Sequence, residues 1–139
     1  MPRHIACLTF DFDAMSGFIS RGMTSPSPIS RGEFGANVGA PRILDLLKKY
    51  DVPSSWYIPG HTLETYLDQC KRVSDAGHEI GIHGYSHENP IAMTREQETE
   101  ILDKCIELVT RLSGKRPTGY VAPWWEFSPV TNELLLERA

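Results

Sequence analysis

Four short apolar runs, at residues 5–10, 52–59, 78–83 and 118–122, are each separated by a stretch long enough to cross a sheet as a helix. Strands joined in this way lie parallel, because a hairpin needs only a few residues while a parallel return needs about a dozen or more. The spacing predicts an α/β fold with parallel strands and right-handed helical crossovers, either an open sheet or one curled into a barrel. In both arrangements the C-terminal ends of the strands form the rim that carries chemistry.

The first run ends in Leu8-Thr9-Phe10-Asp11-Phe12-Asp13. Strand alternation puts Cys7, Thr9, Asp11 and Asp13 on one face and Leu8, Phe10 and Phe12 on the other, so both carboxylates point the same way. Residues 14–39 are rich in Gly, Ser and Pro without a period and are expected as a long loop that carries function or lacks order. Gly39-Ala40-Pro41 opens a helix with a stripe of Ile43, Leu44, Leu47 and Tyr50. A strand follows over Val52 to Pro59, then a weakly patterned helix from Thr62 to about Ala76 and a third strand from His78 to His83. Thr94 and Gln97 form a capping box ahead of Ile101, Leu102, Cys105, Leu108, Val109 and Leu112 at helical spacing, with Gly114 placed to stop that helix. Thr118 to Ala122 is expected as a fourth strand and Thr131 to Arg138 as a last helix.

The chain has 139 residues and a net charge of −4, with no run of lysine and arginine. That predicts one domain over 1–139 and excludes nucleic acid and anionic membrane as electrostatic partners, leaving a small-molecule or glycan substrate. Cys7, Cys70 and Cys105 are odd in number and far apart, as in a reducing compartment. Neither a secretory leader nor an apolar stretch of roughly 18 residues is present, so the expected location is cytoplasmic.

The third run ends in His83-Gly84-Tyr85-Ser86-His87. Two imidazoles four residues apart can share one metal ion, and a carboxylate from Asp11 or Asp13 on the neighbouring rim would complete three ligands, leaving positions for water and substrate. One aspartate would then be the ligand and the other the general base, and spacing does not say which. Zinc is the first expectation for the cofactor, with cobalt, nickel, manganese and iron compatible. Trp124, Trp125 and Glu126 follow the fourth strand and are candidate substrate contacts, as are Glu33 and Arg31 in the long loop. His78 lies on the opposite strand face from His83 and reads as structural, as do His61 and Cys7.

Thr9-Phe10-Asp11-Phe12-Asp13, His83-Gly84-Tyr85-Ser86-His87 and Arg116-Pro117-Thr118-Gly119-Tyr120-Val121-Ala122-Pro123-Trp124 resemble the first three motifs of polysaccharide deacetylases, the NodB-homology domain of carbohydrate esterase family 4. Ser30-Arg31-Gly32-Glu33-Phe34-Gly35 and Tyr57-Ile58-Pro59-Gly60 resemble the branch of intracellular peptidoglycan-deacetylase-like proteins, allantoinase-like proteins and cyclic imidases. The resemblance implies a deformed (β/α) barrel that hydrolyses a non-peptide amide bond in an N-acetyl sugar or a related amide or cyclic imide. It implies Asp11 as general base, Asp13, His83 and His87 as metal ligands, and a backbone N–H near Trp124 as oxyanion donor. Phe12 separates aspartates that are adjacent in the common motif. Val121 stands where many members carry an arginine that orients the base, and Arg31 or Arg42 is expected to substitute. Members also run on to further strands with a late histidine as general acid. This chain is expected to correspond to the N-terminal part of the barrel and to be weak by itself, since a lost general acid costs roughly 10²-fold to 10⁴-fold.

Two other readings compete. A haloacid-dehalogenase-like phosphatase would use Asp11 as nucleophile and Asp13 as acid, but Met15 stands where that class expects threonine or valine, and it has no use for the histidines. A truncated barrel acting as a binding module would expose a strand edge and pair with its missing C-terminal half or as a homo-oligomer.

Overall fold

The computed structural model describes residues 4–139, so residues 1–3 of the domain expected over 1–139 lie outside it. Its centre is a parallel sheet of β1 (Thr9–Asp11), β2 (Ser55–Ile58) and β3 (Glu79–Ile82), side by side in chain order. Phe10 pairs with Trp56, Trp56 with Ile80 and Ile58 with Ile82. The strands are shorter than the apolar runs. Ile5 is 84% exposed and Leu8 46%, because ladder pairing begins only at Thr9.

Residues 14–39 are largely helical, contrary to the loop expected there. After α1 (Ser16–Ile19), α2 (Pro26–Phe34) starts with proline in its first turn and runs through one π turn, Gly35–Gly39, into α3 (Ala40–Tyr50). The π turn has a local cause. Pro41 lacks an N–H and its ring presses on the carbonyl four residues earlier, and widening the preceding turn absorbs both. Gly32 lets α2 approach the chain after β1, since a Cβ there would meet Met15 Cα at 2.6 Å.

The helix expected over 62–76 is two helices, α4 (Gly60–Thr65) and α5 (Leu67–Asp75). They break at Tyr66 (φ −119°, ψ 49°), whose ring is buried and whose hydroxyl donates to Glu33 at 2.8 Å. Then α6 (Arg95–Ser113) begins with the expected capping box of Thr94 and Gln97 and stops at Gly114 in the left-handed conformation, φ 71°. It buries Leu102, Cys105 and Val109 against β3, α4 and α5. Last comes α7 (Thr131–Leu136), tied to α6 by buried Glu98, which accepts from Ser128 Oγ at 2.6 Å and from Thr131 Oγ1.

The fourth strand reduces to one bridge, Ile82 with Tyr120, in which Ile82 N donates to Gly119 O and Val121 N to Ile82 O. Pro117 and Pro123 bracket it, and proline donates nothing to a ladder. The core lies between sheet and helices around Trp56, on which Phe10 and Phe12 pack at centroid distances of 5.0 and 6.0 Å. No described helix is long and apolar enough to cross a membrane.

Gly81 is where β3 is most tightly enclosed: a Cβ would lie 2.6 Å from the Tyr57 ring and 2.7 Å from Gly119 O. Gly81→Ala is expected to cost about 1–3 kcal/mol by overpacking, read as a lower urea midpoint at unchanged slope.

Candidate metal centre

The site grows from the tip of β1. Phe12 N still donates to Tyr57 O at 2.9 Å and its ring enters the core, which leaves Asp13 at the rim. The carbonyl of Asp13 accepts from Ser16 N at 2.9 Å and from Thr62 Oγ1 at 2.7 Å, and Ser16 Oγ lies 2.9 Å from Thr62 Oγ1. Ser16 and Thr62 therefore clamp this residue from two helices. Neither was marked by the sequence, because their contact spans 46 residues.

His83 follows β3 and is 2% exposed. Its Nδ1 lies 2.6 Å from Val121 O, and an N–H donated to that carbonyl fixes the tautomer that leaves Nε2 free to ligate. The loop to His87 is shaped by Glu88, which accepts from Tyr85 N, Ser86 N and Ser86 Oγ at 2.6–2.9 Å. Gly84 is required there: its φ is +66°, and a Cβ would meet Pro123 Cγ at 2.9 Å.

These elements bring Asp13, His83 and His87 together. Asp13 Oδ1 is 3.5 Å from His83 Nε2 and Oδ2 is 3.7 Å from His87 Nε2, and one ligand atom from each residue lies within 4.8 Å of the others. Such separations are long for hydrogen bonds. They suit three atoms around one ion, since ligands about 2.0–2.2 Å from a tetrahedral centre sit about 3.3–3.6 Å apart. Asp13 Oδ1 and His87 Nδ1 are buried without a hydrogen-bond partner among the described residues. Burial also raises the Asp13 carboxyl pKa, with the imidazoles only partly opposing it, and lowers that of His87. A carboxylate oxygen buried without a partner and flanked by imidazole nitrogens is a donor set that a divalent cation satisfies.

The backbone is strained at the same place. Five described non-glycine residues have positive φ; Asp51 caps α3, while Ala14 adjoins Asp13, His87 belongs to the triad, and Trp124, followed by Trp125, packs on His87. Strain of about 1–3 kcal/mol per residue persists where surrounding structure enforces it, and it clusters at functional sites.

The remaining expected residues divide. Asp11 is exposed at the end of β1, close enough for its charge to raise the pKa of Asp13 and Tyr57. Trp124 lies 6.2 Å from the His87 ring and donates its indole N–H to His87 O at 2.9 Å. Trp125 is 88% exposed, and Glu126 is exposed and makes no side-chain hydrogen bond among the described residues. Glu33 is engaged away from the triad, accepting from Tyr66 Oη and Asn37 Nδ2 at 2.8 Å each. It joins α2 to the break between α4 and α5 rather than presenting a free carboxylate to a substrate. Arg31 and Arg42 are exposed on α2 and α3, and neither forms an ion pair with Asp11 or Asp13 among the described residues. Arg21, unmarked by the sequence, stands at the rim instead, its guanidinium 5.9 Å from the Trp124 ring.

His78 lies at the other end of β3, its Nδ1 3.3 Å from Ser54 Oγ and its pKa lowered by burial. His61 lies beside Thr65 and Tyr85. A concavity of about 830 Å³ between Leu44, Lys48, Arg72 and His78 is also at that far end. Among the described residues its acidic groups and His78 do not gather into a metal-binding cluster, so chemistry rather than volume marks the site.

The Polysaccharide deacetylase family model matches residues 2–137. The chain belongs to the polysaccharide deacetylase family. It is 58% identical over 130 residues to the peptidoglycan deacetylase of Helicobacter pylori, covering 92% of this chain and 44% of that protein. A Mycobacterium smegmatis crystal structure assigned to polysaccharide deacetylases superposes with a TM-score of 0.89 at 34% identity, covering 95% of this chain and 47% of that one. An allantoinase superposes with a TM-score of 0.82 at 25% identity, covering 96% and 50%. The chain thus spans about half the length of the relatives it matches, and its sheet corresponds to part of a NodB-type barrel.

The wild-type chain is expected to take up one equivalent of Zn²⁺ and to unfold at higher temperature with it, whereas Asp13→Asn and His83→Ala lose both effects. Thr62→Val is expected to weaken binding about 10-fold, the low end for a group that holds a ligand in place. Metal content after dialysis and thermal scans with and without zinc check these outcomes.

Proposed function

We propose that the chain carries the metal-dependent half of an amide hydrolase that removes acetyl groups from N-acetylated amino sugars of peptidoglycan type. The observation that carries this reading is the meeting of Asp13, His83 and His87 around an unpartnered carboxylate oxygen, inside a chain of the polysaccharide deacetylase family. The named activity of the Helicobacter pylori relative supports the choice of substrate.

A divalent ion, zinc first, supplies Lewis-acid polarisation of the acyl oxygen and an acidified water when bound. Asp13, His83 and His87 hold it, with the His83 tautomer set by Val121 O. Asp11, exposed on the strand that delivers Asp13, accepts the proton of the attacking water as general base. The backbone N–H groups of Trp125 and Glu126 donate to Ala122 O and Pro123 O, while that of Trp124 has no acceptor among the described residues and donates to the developing oxyanion. The Trp124 ring, braced on His87 O, walls one side of the substrate.

His78 lies at the opposite end of β3 and His61 is set beside Thr65 and Tyr85, so neither is assigned the task of protonating the leaving nitrogen, and slow turnover by the 139-residue chain is part of the proposal. The phosphatase reading has no support from the family or the relatives. A binding module alone would not need Asp11 beside a cation site.

The test is acetate release from N-acetylglucosamine oligomers by the zinc-loaded chain, beside its zinc content. Asp11→Asn is expected to keep zinc and lose at least about 10²-fold of the residual rate. Loss of zinc from that variant, or an unchanged rate, would remove Asp11 from its role.

A further inference from the structure

Tyr85 lies midway between His83 and His87, and the hydrolytic scheme gives its side chain no task. The loop around it belongs to no helix or strand, and Gly84 and His87, at φ 66° and 65°, turn it twice through the left-handed region. Its backbone is held from two directions. Glu88 accepts from Tyr85 N and Ser86 N, while the first two N–H groups of α4 donate to the loop, Gly60 N to Gly84 O at 3.0 Å and His61 N to Tyr85 O at 2.8 Å. A helix start has such N–H groups to spare, so α4 grips the chain between the two ligands. The thiol of buried Cys105 on α6 adds a further bond to Gly84 O at 3.2 Å.

The Tyr85 side chain continues this grip. A Cβ on Gly60 would lie 2.5 Å from Tyr85 Cδ2, so the ring rests on α4 where glycine gives it room. Its hydroxyl donates to Glu64 Oε2 at 2.5 Å. From α6, Lys104 Nζ lies 3.6 Å from the ring centroid and 3.5 Å from the same Glu64 oxygen. Glu64 and Lys104 are both nearly half exposed, and an ion pair of that kind contributes little to the stability of a fold. What the cluster does fix is the orientation of the ring, and with it the backbone that carries a histidine two residues away on either side. The consequence is larger for His87. His83 is buried and has its Nδ1 on Val121 O, whereas His87 Nδ1 has no partner among the described residues, so the His87 ring depends on its loop and on the packing of Trp124.

We propose that Tyr85 is a positioning residue of the metal centre, through which the Glu64–Lys104 pair sets the affinity for a divalent ion. This inference rests on the reading of Asp13, His83 and His87 as ligands. It adds to that reading a cluster joining α4 to α6 that makes no hydrogen bond or ion pair with the three ligand side chains among the described residues.

The test measures zinc affinity of the 139-residue chain by competition with a chromophoric chelator, at a temperature where the metal-free protein is folded. Thermal midpoints of the metal-free protein and the visible spectrum of the cobalt-loaded protein accompany it. Tyr85→Phe and Glu64→Ala are each expected to weaken zinc binding about 10-fold and to alter the cobalt bands, with little change in the metal-free midpoint. The double variant is expected to be no weaker than Glu64→Ala alone, since both substitutions remove one contact. Lys104→Met is expected to cost about 3-fold, as for an exposed cation–π contact. Glu64→Ala, at a half-exposed position, tests the same contact should Tyr85→Phe fail to fold. Unchanged zinc affinity and cobalt spectrum in these variants would overturn the role of Tyr85 and leave the metal centre standing. A lower metal-free midpoint at unchanged affinity would assign the cluster to helix packing and overturn it too, as would losses that add in the double variant. Absence of zinc uptake by the wild type would remove the metal centre and this inference with it.

Discussion

One carboxylate oxygen, Asp13 Oδ1, sits out of water facing the His83 imidazole, while Oδ2 faces His87, and it has no hydrogen bond from the described residues. Leaving such a group unpaired is costly, and burial raises the Asp13 pKa accordingly. The surrounding structure is arranged so that the group stays there. Ser16 and Thr62 hold its backbone, Val121 turns one imidazole toward it, and Glu88 shapes the loop that delivers the other. A cation on these atoms would reverse the sign of their interaction, turning a destabilising cluster into a ligand set. Stability given up locally in return for chemistry is a common trade at functional sites.

The scaffold achieves this through close backbone approaches rather than through extensive strands. Each strand has only three or four residues, and the fourth segment is a single bridge. Gly32, Gly81 and Gly84 each let a second segment approach to a distance that a Cβ would forbid. The shortened fourth strand follows from the same economy. Val121 N continues the ladder to Ile82, but its carbonyl is used by His83, so pairing ends where the site begins.

Within the polysaccharide deacetylase family the chain keeps the acidic and histidine motifs while carrying Val121 where many members have an arginine. Arg31 and Arg42 are exposed on α2 and α3 and pair with neither Asp11 nor Asp13 among the described residues. The arginine that does reach the rim is Arg21, beside the ligand Asp13 candidate and Trp124 rather than on an ion pair with Asp11.

Much of this was legible from the chain alone. Apolar runs of strand length separated by crossovers dictate parallel order, because the side-chain period and the connection length are both local properties. The capping box at Thr94 and the stop at Gly114 are local too, and both occur where spacing puts them. The two aspartates and two histidines fall on one rim for the same topological reason. Other features depended on which surfaces meet. The helices within 14–39, the break at Tyr66, the engagement of Glu33 by Tyr66 and Asn37, and the arrival of Arg21 beside Trp124 have no periodic signature. Their partners lie tens of residues away and are selected by packing and hydrogen bonding in three dimensions. Sequence by itself determined the order of the strands and the kinds of atoms at their tips, since these follow from short-range pattern. Only tertiary structure decided which of those atoms stand within one ion's reach, and which arginine stands beside Trp124.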